Sequence, residues 1–181
     1  MFKTIGIDAS LTGTGVVALD GDDISWSQRI DTKLKGMERL IFIEERLKHI
    51  IKQFSPTLVL IEGYAFSAKG LSYQIGELGG VIRMMLHKHE VRWIEIPPAQ
   101  VKKFATGKGN AQKDFVMLNV YKKWGAEFSS NDEADAFVLA KIGQALMEYD
   151  RDPRDIVQRW QKKYTQYQVE VLEEVKKKID Y

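Results

Sequence analysis

Hydrophobic residues alternate with polar ones along the first thirty positions. Ile5 and Ile7 lead into Asp8. Val16 to Leu19 follow the turn Gly13-Thr14-Gly15, and Ile24 to Ile30 alternate around Trp26 after Asp20-Gly21-Asp22-Asp23. Period-two runs joined by short turns predict three strands in an antiparallel meander. The period then changes. Met37, Leu40, Ile41, Leu47, Ile50, Ile51 and Phe54 recur at three- and four-residue steps, with Glu44 the one polar member of the stripe, and Ser55-Pro56 stops the run. This spacing predicts an amphipathic helix. Thr57 to Ile61 is short and apolar, as a strand buried on both faces would be.

Residues 63–70 form a loop, and a helix is expected from about Ser72 to Lys88. Gly76, Gly79 and Gly80 lower its propensity, and glycines there make sense where another backbone packs close. Val91 to Ile96 is a strand stopped by Pro97-Pro98. Ala99 to Ala105 is a short helix, Thr106 to Asn110 a basic loop, and Ala111 to Trp124 and Asn131 to Tyr149 are helices. This order predicts an α/β layer fold, a mixed sheet of about five strands flanked by helices, with the first strand central. From about Arg151 the character changes. Ile156, Trp160, Tyr164, Tyr167, Val171, Val175 and Ile179 form an apolar stripe in a strongly charged segment, which predicts one long amphipathic helix. The chain therefore divides into a body, 1–149, and a C-terminal helical extension, 150–181. The extension could wrap back on the body, pair with a second subunit, or order on a partner.

At 181 residues, with 44% hydrophobic and 29% charged positions, the chain can bury a core without covalent staples. It has no cysteine, which excludes disulfides and thiolate metal sites. No apolar run approaches the roughly 20 residues that cross a bilayer, so no membrane role is expected. The N-terminus enters a strand at once, which argues against a signal peptide and for the cytoplasm. A net charge of +2 says little, but its distribution says more. Between Ala99 and Lys123 stand six lysines (Lys102, Lys103, Lys108, Lys113, Lys122 and Lys123) and one acid, Asp114. Such a segment is either a solvated helix face or a grip for phosphates.

The candidate chemistry lies in four acids. Asp8 and Glu62 end apolar strands, and Asp132 and Asp135 open the helix that starts at Asn131. Carboxylates at the ends of buried elements suit a hard cation with oxygen ligands, and paired divalent ions bridged by carboxylates hydrolyse phosphodiesters. Ligands in open α/β sheets collect beyond the carboxyl ends of strands, so Asp8 and Glu62 should meet there. Asp132 and Asp135, three apart, share a helix face and can point to the same place, whereas Glu133 faces away. Each acid also has a structural reading, as a turn residue, a strand terminator or a helix-start residue. Lys113 opens the helix that follows Gly107-Lys108-Gly109 and could reach a scissile phosphate. Lys102, Lys103 and Lys108 suit flanking phosphates. Tyr64 and Phe66 follow Glu62 and either stack on bases or anchor their loop. Ser10, Thr12 and Thr14 more naturally satisfy their own turn. The histidines His49, His87 and His89 lie at helix ends among polar neighbours, so no histidine base is indicated.

The stretch Gly6-Ile7-Asp8-Ala9-Ser10-Leu11-Thr12-Gly13-Thr14-Gly15, then Ile61-Glu62, then Asp132-Glu133-Ala134-Asp135-Ala136 resembles the RuvC family of Holliday junction resolvases over roughly residues 3–148. Gln100-Val101-Lys102 and Gly107 to Lys113 resemble the family's basic segment. The resemblance implies a ribonuclease H-like fold, a homodimer with two active sites, and Mg²⁺- or Mn²⁺-dependent cleavage of branched DNA, above all four-way junctions. It implies Asp8, Glu62, Asp132 and Asp135 as metal ligands for two ions per site, Lys102 and Lys113 as residues for DNA contact and cleavage, and the helix with Gly76, Gly79 and Gly80 as the dimer region. The loop after Glu62 is about one residue longer than the bacterial pattern, and the tail has no counterpart in it. Tailed, divergent versions resemble bacteriophage resolvases, which would place the protein in a host cytoplasm. Three other readings stand beside this one: a ribonuclease H-fold RNA-processing nuclease, a junction-binding protein without chemistry, and a sugar-kinase-like ATPase. The last is disfavoured by the chain's length and by the lack of a second nucleotide loop, so no nucleotide cofactor is expected.

Overall fold

The computed structural model describes residues 2–63 and 72–179, with the side chains of 72, 150 and 151 left aside. Three antiparallel strands open the chain: β1 (Lys3–Asp8), β2 (Thr14–Asp20) and β3 (Asp23–Ile30). Helix α1 (Gly36–Phe54) leads to β4 (Leu58–Glu62), and α2 (Ser72–Lys88) leads to β5 (Trp93–Ile96). The rest is helical: α3 (Pro98–Thr106), α4 (Lys113–Trp124), α5 (Asn131–Arg151), α6 (Ile156–Lys163) and α7 (Gln166–Ile179). The sheet has five strands in the order β3-β2-β1-β4-β5, with β4 parallel to both β1 and β5. The mixed α/β layer architecture and the central first strand thus form as the periodicities predict.

Alternation along β1 assigns its two faces. Ile5 and Ile7 are buried in the cluster made by α1 and α2, with Val16, Val59 and Ile61. Thr4 and Gly6 face the other way, against α5, where Thr4 Oγ1 donates to the Ala140 carbonyl at 3.1 Å. Asp8, next on that face, is therefore aimed toward α5.

Helix α5 presents small residues to the sheet, and the backbones almost touch. A Cβ built on Gly6 would stand 1.8 Å from the Ala136 carbonyl oxygen. One on Gly15 would stand 2.0 Å from that of Asp132, and one on Gly143 would stand 2.5 Å from Leu60 Cδ1. The helix begins with a cap in which Ser130 Oγ accepts from the Glu133 amide at 3.2 Å.

The tail departs from the expected single helix. It is two helices, broken at Tyr164-Thr165. Thr165-Gln166-Tyr167-Gln168 is a capping box: Gln168 Oε1 accepts from the Thr165 amide at 3.1 Å and from its hydroxyl at 2.9 Å. Both helices wrap back on the body. Trp160 is fully buried, its Nε1 donates to the Ala145 carbonyl, and Val169, Val171, Leu172 and Val175 join the cluster on the α5 side of the sheet.

A Cβ on Gly80 would meet nothing within 4 Å among the described residues, so within them no other backbone packs close there.

Gly6→Ala should act through the α5 contact. The methyl group meets backbone that cannot rotate away, so the loss of stability should reach or exceed the upper end of the roughly 1–3 kcal/mol usual for overpacking. Urea unfolding of the variant against wild type measures it.

Candidate active site

Beyond the carboxyl ends of β1 and β4 lies a cleft of about 270 Å³. Asp8, Glu62, Asp132 and Asp135 all line it, joined by Lys102 from α3 and Lys113 from the first turn of α4. The four predicted acids, far apart in sequence, therefore share one cavity with two of the predicted lysines.

The acids are crowded and poorly solvated. Burial is the main reason the Asp8 carboxyl sits well above the usual carboxylate range; the charge and hydrogen bond of Glu62 add to it, and Lys113 opposes it. Glu62 is also raised, first by burial and then by Asp135, while Lys102 and Lys113 pull it down. Asp8 and Glu62 act directly on each other: Glu62 pushes the Asp8 carboxyl up, and the interaction with Asp8 pulls Glu62 down. Burial, reinforced by Asp8, pushes Asp135 up to about 7. Its Oδ1 is buried and has no hydrogen-bond partner.

An orphaned carboxylate oxygen beside two other buried, crowded acids is a donor set short of positive charge. The available donors are carboxylate oxygens, which suit Mg²⁺ or Mn²⁺. Among the described residues no three acidic side chains form a ready-made cage. Mg²⁺ is usually held by one or two carboxylates together with substrate phosphates, so the open arrangement fits.

Asp132 is held differently. Its Oδ2 accepts from Arg29 Nε at 2.9 Å. Glu133 points away from the cleft, as expected: Ser129, Ser130 and Ser27 hydroxyls donate to it at 2.6, 2.9 and 2.7 Å. Burial alone would raise its pKa, but these three hydroxyls and the charge of Arg29 bring it down.

The remaining candidates separate. Ser10 lines the cleft, and the Thr14 hydroxyl donates to the Ser10 carbonyl at 2.9 Å, so this turn satisfies itself. Lys103 does not line the cleft and is ion-paired with Glu170 of α7 at 2.8 Å. Lys108 is exposed between α3 and α4, also outside the cleft. Tyr64 and Phe66 lie outside the described residues. His49 and His87 are exposed and His89 is half-buried.

Two residues were missed in the sequence. Arg83 of α2 lines the cleft and is ion-paired with Glu95 at 2.5 Å. Arg29 of β3 reaches Asp132. Neither belongs to a local motif. The only signal for Arg29 was a charged side chain placed on the same strand face as Ser27.

The comparisons follow this geometry. The family model for crossover junction endodeoxyribonuclease RuvC matches residues 4–142. The crossover junction endodeoxyribonuclease RuvC of Prochlorococcus marinus (strain NATL2A) is 32% identical over 149 residues, covering 78% of this chain and 97% of that protein. The protein of the same name from Synechococcus sp. (strain WH7803) is 29% identical over 149 residues with the same coverage. The solved structure of T. thermophilus RuvC in complex with Holliday junction substrate matches with a TM-score of 0.65 at 27% identity, covering 77% of this chain and 91% of that one. Helices α6 and α7 lie beyond the residues the family model matches.

The raised Asp135 pKa has a measurable consequence without divalent ions. Between about pH 4 and pH 7 the folded protein keeps a proton that the unfolded chain releases, so this group's contribution to stability falls as pH rises through that window. Asp135→Asn carries no such proton. In EDTA, its stability relative to wild type should increase from about pH 4 to about pH 8, by on the order of 4 kcal/mol. Denaturant unfolding across pH reads this difference; a gap that stays constant rejects it.

Proposed function

The chain belongs to the RuvC family of crossover junction endodeoxyribonucleases, and on that footing we propose how its own residues carry out the reaction. The protein is a junction-resolving endodeoxyribonuclease. The observation that carries the assignment of residues is the meeting of Asp8, Glu62, Asp132 and Asp135 with Lys102 and Lys113 in one cleft.

In this reading the four carboxylates would hold Mg²⁺ or Mn²⁺, two ions per site. Bound ions would supply an activated water and neutralise charge on the scissile phosphate. The buried Asp135 oxygen is among the donors available to them, and their positive charge would favour the ionised forms of Asp8 and Glu62. Lys113 and Lys102 bring fixed positive charge to the phosphate and balance the charge that builds as the P–O bond breaks. Water is the nucleophile; its oxygen bonds to phosphorus and the leaving oxygen takes up a proton. Lys103, bound to Glu170, contributes little to DNA binding, and Lys108 meets flanking phosphate only.

A four-way junction has two-fold symmetry, so paired nicks need two sites related by a two-fold axis. The outer face of α2 supports a homodimer. Tyr73 is 66% exposed, Met84 is 52% exposed, and Gly80 leaves room for a second backbone. Four-way junctions are the principal substrate, with other branched DNA cut more slowly.

Asp8→Asn should lower cleavage of a synthetic four-way junction in Mg²⁺ by about 10³-fold, roughly 4 kcal/mol of transition-state stabilisation, while binding to the junction persists. Wild type should cut four-way DNA in preference to linear duplex or structured RNA. Wild-type-level cutting by the variant rejects the assignment of Asp8, and preference for RNA rejects the substrate.

Met84→Glu places a charge on the α2 face and should shift the protein from dimer to monomer in light scattering at micromolar concentration. An unchanged mass places the dimer contact elsewhere.

A further inference from the structure

Arg29 stands outside the carboxylate quartet but is bonded to one of its members. It lies on β3, and its guanidinium reaches three separate segments. Nε donates to Asp132 Oδ2 at 2.9 Å on α5, Nη2 to the Thr12 carbonyl at 3.1 Å in the β1–β2 turn, and Nη1 to Asp31 Oδ2 at 3.2 Å beyond the end of β3. The planar guanidinium carries these donors on three separate nitrogens in a rigid fork, whereas a lysine ammonium has its three donors on one nitrogen and cannot span the same acceptors.

The surroundings are shaped to admit this group. The guanidinium lies over Gly13, where an added Cβ would stand 2.2 Å from Nη2. Two residues back on the same strand face, Ser27 donates to Glu133 at 2.7 Å. Thus β3 grips two consecutive acids of the first turn of α5, and both grips lie on the side away from Glu62.

We propose that Arg29 is a positioning residue for the metal site. By occupying Oδ2 it fixes the rotamer of Asp132 and leaves the second oxygen of that carboxylate for a divalent cation. By holding the Thr12 carbonyl it also fixes the turn that begins immediately after Asp8 and Ala9. The inference rests on the reading of the quartet as metal ligands.

Charge alone has the opposite sign. A guanidinium beside a cation site repels the cation, so removing it should tighten divalent-ion binding if Arg29 served only to balance charge. If Arg29 positions Asp132, removing it should weaken binding, since loss of a group that orients a ligand typically costs about 10- to 100-fold in metal affinity. The two roles therefore predict shifts in opposite directions.

The experiment is calorimetric titration of the full-length, DNA-free protein with MnCl₂, together with the Mn²⁺ dependence of junction cleavage and the thermal midpoint in EDTA. Arg29→Gln should bind Mn²⁺ about 10- to 100-fold more weakly than wild type, and its half-saturating Mn²⁺ for cleavage should rise by the same factor. Its rate at saturating Mn²⁺ should stay within about threefold of wild type, because Asp132 is still present. Gly13→Ala leaves Arg29 in place but displaces its guanidinium, and should shift Mn²⁺ affinity in the same direction. Arg29→Lys, which keeps the charge and loses the fork, should fall between wild type and Arg29→Gln.

Unchanged or tighter Mn²⁺ binding by Arg29→Gln overturns the proposal, even if the thermal midpoint drops, because a purely structural clamp would move stability alone. Should Arg29→Gln fail to fold, Gly13→Ala decides the question by the same criterion. The metal-site reading is tested separately by wild type and Asp8→Asn. Wild type that takes up no Mn²⁺, or an Asp8→Asn variant that binds as well as wild type, rejects the quartet itself.

Discussion

At two points helix α5 meets the sheet backbone to backbone. The Ala136 carbonyl lies where a Gly6 Cβ would be, and the Asp132 carbonyl lies where a Gly15 Cβ would be. In the β1–β2 ladder Gly15 pairs directly with Asp8, so the second contact is made beside the first acid of the site. A side chain at either glycine would meet helix backbone and push α5 away from the sheet. The contact therefore sets where Asp132 and Asp135 stand relative to Asp8. The Thr4–Ala140 hydrogen bond and the Gly143–Leu60 contact extend the same seam along the helix. Glycine weakens a strand, and here that cost is offset by burying α5 against two strands at once.

The site built on this seam combines like charges that oppose one another. Asp8, Glu62 and Asp135 are buried together, and each raises the cost of ionising the next. A protein that only bound DNA would gain nothing from negative charge in its phosphate-binding cleft. The lysines lower the acids' pKa values without cancelling the shifts, as the raised Asp135 shows. The remaining imbalance is what divalent cations would relieve. Arg29, outside the quartet, pairs with Asp132 from β3.

Much of this was legible along the chain because it depends on local rules. Period-two and period-3.6 runs give the strands and helices, and strand ends followed by acids give Asp8 and Glu62. The Asp132–Asp135 spacing puts two carboxylates on one helix face. The rest depends on where segments meet. Arg29 belongs to no local motif and matters because β3 passes beside α5. Arg83 enters the cleft because α2 packs above β4. The pairing of Lys103 with Glu170 is not legible along the chain, because that acid lies 67 positions away. The break in the tail was different. Thr165 and Gln168 form a local capping signal, but the apolar stripe runs through it without losing phase and so masks it.

The tail links that break to the site. Trp160 is anchored on α5 through the Ala145 carbonyl, and α5 carries Asp132 and Asp135. The next helix, α7, takes hold of α3: Glu170 pairs with Lys103, Glu174 accepts from Gln100 at 2.6 Å, and the Tyr167 ring lies 3.4 Å from where a Gly107 Cβ would stand. Consecutive helix residues are separated by about 100° around the axis. Gripping α3 by Lys103 therefore also fixes the direction of Lys102, which lines the cleft. A segment beyond the span of the family model thus ties the helix bearing a phosphate-facing lysine to the helix bearing two of the acids. That brings both charge types under one packed layer, whereas α3 held only at its two ends would be freer to roll.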